Sequence, residues 1–495
     1  MMPISIRTIL SGLMMILIGG CIASPPVLSP ASEALLDPNA PVYALKTFSL
    51  EGVGLPIALA TDDDSNVWAV TEFGSELHHV ADNPQVTIEK IDVPIRAKPG
   101  HYPYLSEEGQ GSTRPLSERI ITDSLGRLWF PQTGHWLNFS LPEDSRNYSR
   151  IVSYNPRSES YCIYPVPDSN SGVLGLAWDE ARNLIWFTQS GNNALVAFNP
   201  DELRACDSYT NYKWRFDSEG NPVKPFPISY CGLPSERGCM RRYELDGKIG
   251  VLNQVVIQQP DDPDPGSVWM TQLAAHGIIR YDPDTGKQTS FPIPPAQYVS
   301  TYFSRLHQIH IHPVDGDLVF SANARGQIFR FDIQRYLIDG QRCTELDGSN
   351  HNPCMKSMRV PVFDKQNARI TTHSMAFDRF HNLWVTTWAG SCPLHVSPPG
   401  LAVVNADWQH MIFLGQPRLF EGVAEEYADS SGAIAATVPC MENGRPRWAF
   451  KGVVVDAANN IWFTNYYARL LHKLELTGGN DLDPFPLLCE QCSPR

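Results

Sequence analysis

One short phrase recurs along the whole chain: an apolar run ending in Asp, a polar turn, then Leu or Ile followed by Trp-Phe-Thr. Near the end it reads Gly452-Val453-Val454-Val455-Asp456, a turn at Asn459-Asn460, then Ile461-Trp462-Phe463-Thr464. It also reads Ile120-Ile121-Thr122-Asp123 with Leu128-Trp129-Phe130, Leu174 to Asp179 with Ile185-Trp186-Phe187-Thr188, and Met375-Ala376-Phe377-Asp378 with Leu383-Trp384-Val385-Thr386. Looser copies lie at 57–71, 255–271 and 309–321, the last with Val319-Phe320 in place of Trp-Phe. The copies centre on Trp68, Trp129, Trp186, Trp269, Val319, Trp384 and Trp462. Two short apolar strands around a polar turn cannot bury both faces alone, so each copy must stack on its neighbours.

Each copy extends to four strands. The third is a stretch such as Ile278 to Asp282 or Gln327 to Asp332. The fourth ends in an apolar-Pro signature such as Phe291-Pro292-Ile293-Pro294, with further examples expected at 88–94, 161–167, 225–229, 359–363 and 410–414. The turn chemistry is that of antiparallel sheet. The last copy has only three strands, through Leu470 to Leu476, while Tyr43 to Leu50 is an orphan strand ahead of the first copy. Pairing the two closes a ring and removes an exposed edge. The expected fold is all-β: a seven-bladed β-propeller of four-stranded antiparallel blades over 43–476, closed by the N-terminal strand. Insertions at 95–117, 131–148, 200–248, 333–357 and 415–448 decorate its faces, and 477–495 form a C-terminal tail. His78-His79 and Asp62-Asp63-Asp64 read as turn residues.

A net charge of −14 and the lack of a basic patch argue against nucleic acid as a partner. At the N-terminus, Arg7 precedes an apolar run, Ile9 to Ile18, too short to span a bilayer comfortably. The run ends in Leu17-Ile18-Gly19-Gly20-Cys21, which resembles a bacterial lipoprotein lipobox. The resemblance implies a signal peptide over 1–20, lipidation of Cys21, a Pro/Ser/Ala-rich tether over 21–42, and attachment to the bacterial membrane by the lipid alone. Ile22 after the cysteine favours the outer membrane if the source is Gram-negative. Of 11 cysteines, Cys21 set aside, an even number remains, as disulfides in an oxidising compartment require. Proximity suggests Cys231–Cys239, Cys343–Cys354, Cys392–Cys440, Cys162–Cys206 and Cys489–Cys492, although sequence does not fix connectivity.

First strands line the channel of a propeller, so one position can be compared across blades. Five residues before the Asp it reads Ile57 or Pro56, Glu118, Leu174, Asn253, His307, His373 and Lys451. Glu118, Asn253, His307, His373 and Lys451 are expected to converge at one mouth. They can bind a polar or anionic ligand or do acid–base work there, or they can simply satisfy backbone groups in a wet channel. Three residues after each Trp position stand Thr71, Gln132, Gln189, Gln272, Ala322, Thr387 and Asn465, with Glu72 next door. These suit hydrogen bonds to a neutral ligand better than a hard cation. His307 and His310 should face opposite ways on a strand, while His310 and His312 share a face and could hold a metal.

The phrase Trp-Phe-Thr-Gln/Asn, followed by Ile-x-Arg-Tyr-Asp-Pro-x-Thr-Gly and Phe-Pro-Ile-Pro, resembles the repeat of the streptogramin (virginiamycin B) lyase family. That likeness implies a seven-bladed propeller and Mg²⁺-assisted elimination on a cyclic depsipeptide. It places His373 at the family's histidine, with Glu118 or Glu72 toward the metal and Lys451 stabilising negative charge. Thr387, Gln189 and Asn465 stand where the family writes acids. The functional expectation is a lipid-anchored propeller that binds a small-molecule ligand or an envelope protein at the mouth. A metal-assisted carbon–oxygen lyase and a propeller-type lactone hydrolase are the alternatives.

Overall fold

A computed structural model describes residues 43–485, apart from 52–53, 73–75, 83–85, 93–118, 134–148, 168–171, 204–214, 217–221, 224–228, 234–235, 247–250, 274–276, 295–305, 361–369, 390–399, 416–440, 443–444, 447–448, 467 and 477–482. Seven four-stranded antiparallel sheets follow one another along the chain. Their first strands, called blades 1 to 7, are Leu55–Thr61, Ile121–Thr122, Val173–Asp179, Leu252–Ile257, Leu306–Ile311, Ile370–Phe377 and Phe450–Val455. These strands touch in cyclic order, blade 7 returning to blade 1. The ring is a seven-bladed β-propeller, as the repeat predicts.

Its closure is the expected one. Tyr43–Ser49 pairs antiparallel with Leu470–Leu476, from Tyr43 opposite Leu476 to Ser49 opposite Leu470. Thr47 Oγ1 lies 2.9 Å from His472 Nδ1, and Phe48 stacks 5.9 Å from Trp462. The strand supplies the fourth position of blade 7, whose own sequence stops at three.

The recurring phrase has a local cause. In blades 1, 2, 6 and 7 the Asp at the end of the first strand caps the hairpin turn with one carboxylate oxygen. Asp123 Oδ1 accepts from the Leu125 and Arg127 amides, and Asp378 Oδ1 from Phe380 and Asn382. The other oxygen accepts from the Trp indole six residues on, at 2.8 Å for Trp68, Trp129 and Trp462 and 3.0 Å for Trp384. The residue three after the Asp takes positive φ: Ser65, Gly126, His381 and Asn459. A side chain that bonds its own turn competes well with other backbone conformations. Blade 3 has one more residue in the turn, and its Trp186–Asp179 bond is 3.2 Å. In blade 4 Gln258 replaces the Asp, and Trp269 donates to Ser267 Oγ at 2.8 Å instead. Blade 5 lacks the Trp; Val319 packs in one cluster with Trp408 from blade 6.

Of seven buried apolar clusters six straddle two neighbouring blades, and one draws on blades 7, 1 and 2. The six motif tryptophans are among the largest fully buried side chains. A blade's hydrophobic faces are thus satisfied only by its neighbours, which makes the ring one cooperative unit.

Several boundaries differ from those read in the sequence. The fourth strand of blade 3 is Arg241–Glu244, inside the expected insertion 200–248, rather than 225–229. A fourth strand is an outer strand and tolerates charge, so the apolar-Pro signature is a poor guide there; Tyr243 holds it by stacking 5.5 Å from Trp186. Met355–Arg359 likewise begins within 333–357, which also carries a helix, Ile333–Asp339. Pro131 and Gln132 end the second strand of blade 2, and Gly415 ends the fourth strand of blade 6. Asp62 to Asp64 do form a turn, but His78 and His79 lie in a strand, Glu76–Asp82, where His79 stacks 4.2 Å from Trp68.

Cys231–Cys239 and Cys343–Cys354 are disulfides with Cα atoms 5.3 and 5.4 Å apart. Cys162 is also disulfide-bonded. Cys21, Cys206, Cys392, Cys440, Cys489, Cys492 and Glu118 lie outside the described residues.

Candidate functional site

The first strands of six blades shift register at one place: between Pro56 and Ala58, Val173 and Leu176, Leu252 and Val255, Leu306 and Ile309, Thr372 and Met375, and Phe450 and Val453. Bulges of this kind re-aim side chains next to functional sites. Asn253, His307, His373 and Lys451 all stand at this shift, and all are buried.

The Thr of Trp-Phe-Thr holds that region together. Thr188 Oγ1 accepts from the Gly175 amide of its own blade at 2.9 Å and donates to the Asn253 carbonyl of the next at 2.6 Å. Thr271 does the same with Gln254 (3.1 Å) and His307 (2.8 Å), and Thr386 with Ser374 (3.0 Å) and Lys451 (2.6 Å). In these three blades one hydroxyl therefore pins the bulge and couples it to the adjacent blade. The carbonyls it fixes belong to the residues that carry the candidate chemistry.

Their side chains form a rim from blade 4 to blade 1. Asn253 Nδ2 donates to the Leu306 carbonyl at 3.1 Å. His307 Nδ1 lies 3.2 Å from the His373 carbonyl, and the two imidazoles pack with centroids 4.4 Å apart. The His373 ring bonds in turn to the Lys451 carbonyl. Lys451 Nζ lies 4.8 Å above the Tyr466 ring, and the Tyr466 hydroxyl donates to Glu72 Oε2.

Burial holds the His373 imidazole well below its ordinary pKa, and Lys451 and His307 add to that. It is neutral at pH 7. Donation to the Lys451 carbonyl fixes the proton on one nitrogen, and Nδ1 is buried without a partner. Burial raises the Glu72 carboxyl, against the opposing pull of Lys451 and of the Tyr466 hydrogen bond. The rim thus combines a neutral imidazole with a free lone pair, an ammonium and a phenol–carboxyl pair. It can accept one proton or hydrogen bond and stabilise one negative charge.

The residues three after each Trp do not join this rim. Thr71 and Thr387 bond across their own hairpins, to Glu76 and Gly400. Gln189 donates to the Tyr230 hydroxyl at 2.5 Å, and Asn465 accepts from the Ala449 amide at 3.4 Å. Gln132 and Gln272 are buried, and no hydrogen bond joins any of Gln132, Gln189, Gln272 and Asn465 to another. The register shift of blade 5 falls between His307 and His310, not between His310 and His312. His310 lies within electrostatic reach of Arg119, while His312 sits 2.9 Å from Asp315 and edge-on to Phe377.

The donor set does not fit Mg²⁺, which wants several oxygen ligands, carboxylates first. Among the described residues the rim offers one carboxyl, Glu72, engaged by Tyr466 and Lys451. One group of three potential ligands exists elsewhere, Cys231, Glu236 and Cys239, but its sulfurs form a disulfide.

Sequence reasoning missed Tyr466, four residues after Trp462, and Arg119, immediately after the counted position of blade 2. Counting the residue after that position as well would have found Arg119.

No protein-family model matches the chain, and no curated protein matches it. Among solved structures, a streptogramin B lyase aligns at a TM-score of 0.54 and 15% identity, over 88% of this chain and 98% of that one. A selenomethionine-substituted virginiamycin B lyase from Staphylococcus aureus aligns at 0.53 and 15%, over 88% and 99%. A catalytically inactive histidine-to-alanine variant of that enzyme with quinupristin aligns equally, at 0.53 and 15%. At this identity the likeness concerns architecture alone: this chain has the fold of the streptogramin lyases.

Proposed function

We propose that the chain is an exported propeller, tethered to the membrane through a lipidated Cys21, that binds a small polar or anionic ligand at the channel mouth. The observation that carries this reading is the His373 Nδ1 atom, buried without a partner beside Lys451. An unmade hydrogen bond of this kind costs about 1–3 kcal/mol, and a ligand hydroxyl or amide would fill it. Lys451 then supplies charge for an acidic group on the same ligand. The test is a thermal-shift screen of polar metabolites and envelope saccharides on wild type and His373→Ala. Ligands should stabilise the wild type and lose that effect in the variant; stabilisation that survives the substitution counts against the rim. Cys21→Ser should release the protein from the membrane fraction, and retention there would defeat the tether.

A second reading is favoured by the same atom together with the fold. Streptogramin lyases are among its structural neighbours, one of them a catalytically inactive histidine variant. Here His373 Nδ1 would take a proton from the carbon adjacent to an ester C–O bond. That bond would break, the carboxylate would leave near Lys451, and an alkene would remain. Elimination opens a cyclic depsipeptide without change of mass, whereas a lactone hydrolase adds one water. Mass spectrometry after incubation with streptogramin B compounds separates the two, and intact substrate alone removes both.

A further inference from the structure

Among the described residues, Arg119 is a cation with no anion beside it. It lies on the inner edge of blade 2, and its Nη1 donates to Gln308 Oε1 of blade 5 at 2.9 Å. Blades 2 and 5 are not neighbours in the ring, so this bond crosses the central channel. Among the described residues no carboxylate pairs with Arg119, and its Nε is buried without a hydrogen-bond partner. Burial alone lowers the guanidinium to about 10, with no opposing charge to restore it. A desolvated charge is ordinarily paired.

The chain shows what such an edge is suited to. Arg280 presents Nε and Nη2 to Asp264 and holds both carboxylate oxygens, at 2.7 and 2.8 Å. Arg330 and Arg127 also turn Nε to aspartates, at 2.8 and 2.6 Å. In Arg119 Gln308 takes only Nη1, and the Nε–Nη2 edge is left without a partner. His310, electrostatically coupled to Arg119, has a buried Nε2 with no partner either.

We propose that Arg119 is an anion-binding residue inside the channel, its Nε–Nη2 edge gripping a carboxylate or phosphate through two parallel hydrogen bonds. His310 Nε2 is the next group available to that anion. Gln308 orients the guanidinium from the far wall by occupying its third nitrogen. The site shares a strand with the rim, since Gln308 follows His307, but it does not depend on the reading of His373.

The experiment titrates acetate and inorganic phosphate separately, at fixed ionic strength against chloride, into the wild-type protein, Arg119→Gln and Arg119→Lys. Melting temperature and the ring resonances of His310 are followed. At least one anion should stabilise the wild type saturably and move the His310 signals; which anion does so separates a carboxylate site from a phosphate site. Arg119→Gln should weaken that response about tenfold or more. Arg119→Lys, which keeps the charge but not the fork, should fall between the two. Arg119→Gln removes an unpaired cation and should melt no lower than the wild type in chloride. No saturable response to either anion, or the same response in Arg119→Gln, would overturn the proposal, as would Arg119→Lys matching the wild type.

Discussion

At the scale of single residues, one aspartate does two jobs in four of the blades. Asp123 caps the turn through one oxygen and anchors the Trp129 indole through the other. Asp123→Ala leaves two amides and a buried indole unsatisfied, so it should destabilise by about 1–3 kcal/mol. Trp129→Ala, which also empties a fully buried site, should cost about 3–5 kcal/mol. Urea unfolding of both variants measures this, and an Asp123→Ala midpoint equal to the wild type would refute the double role. The periodicity of Asp and Trp was legible in sequence because it is a local bond between residues six apart. The bulge was not. Alternation assigns one inward side chain per two residues, whereas at the blade 5 bulge His307 reaches the His373 carbonyl and the very next residue, Gln308, reaches Arg119. Tyr466 escaped for a related reason: its partner Glu72 is far away in sequence and meets it only once the ring closes.

At the scale of elements, closure rests on one strand that has no sequence neighbour in its sheet. Tyr43–Ser49 covers the outer edge of Leu470–Leu476, and Phe48 packs against Trp462. A chain beginning at residue 51 would expose that edge and uncover the cluster between blades 7 and 1, which includes Leu50 and Leu471. Such an edge invites pairing with other chains. The truncated protein should lose its single cooperative melt and aggregate, as judged by calorimetry and light scattering; a monomer melting like the full chain would show that the strand is dispensable. The orphan strand could be found in sequence because the last repeat is visibly short by one. The fourth strand of blade 3 could not, because an outer strand such as Arg241–Glu244 is half-exposed and carries little apolar signal.

At the scale of the whole molecule, stacking blades around an axis buries histidines from several of them. Burial is the leading cause that depresses the imidazoles of His79, His310, His312, His373 and His472, with His310 and His472 carried down to about 3. Each resists a proton in the folded ring but accepts one near pH 6.5 once unfolded. The unfolded state therefore binds more protons over that interval, and stability must fall as pH drops below 6.5, for His310 and His472 continuing to about 3. The raised carboxyls of Glu72, Asp317 and Asp378 act in the opposite sense, gaining stability on protonation above their ordinary range. A single-site comparison separates the two contributions. His472 is fully buried between blade 7 strands and meets Thr47 of the closing strand at 2.9 Å. His472→Gln carries no charge at any pH and leaves every carboxyl in place. Its urea midpoint should decline less than that of the wild type between pH 6.5 and 4, while the two proteins keep a constant offset above pH 7. Parallel curves across the acidic range would mean that His472 is protonated as readily in the closed ring as in the open chain, and acid opening of the propeller would have to start elsewhere.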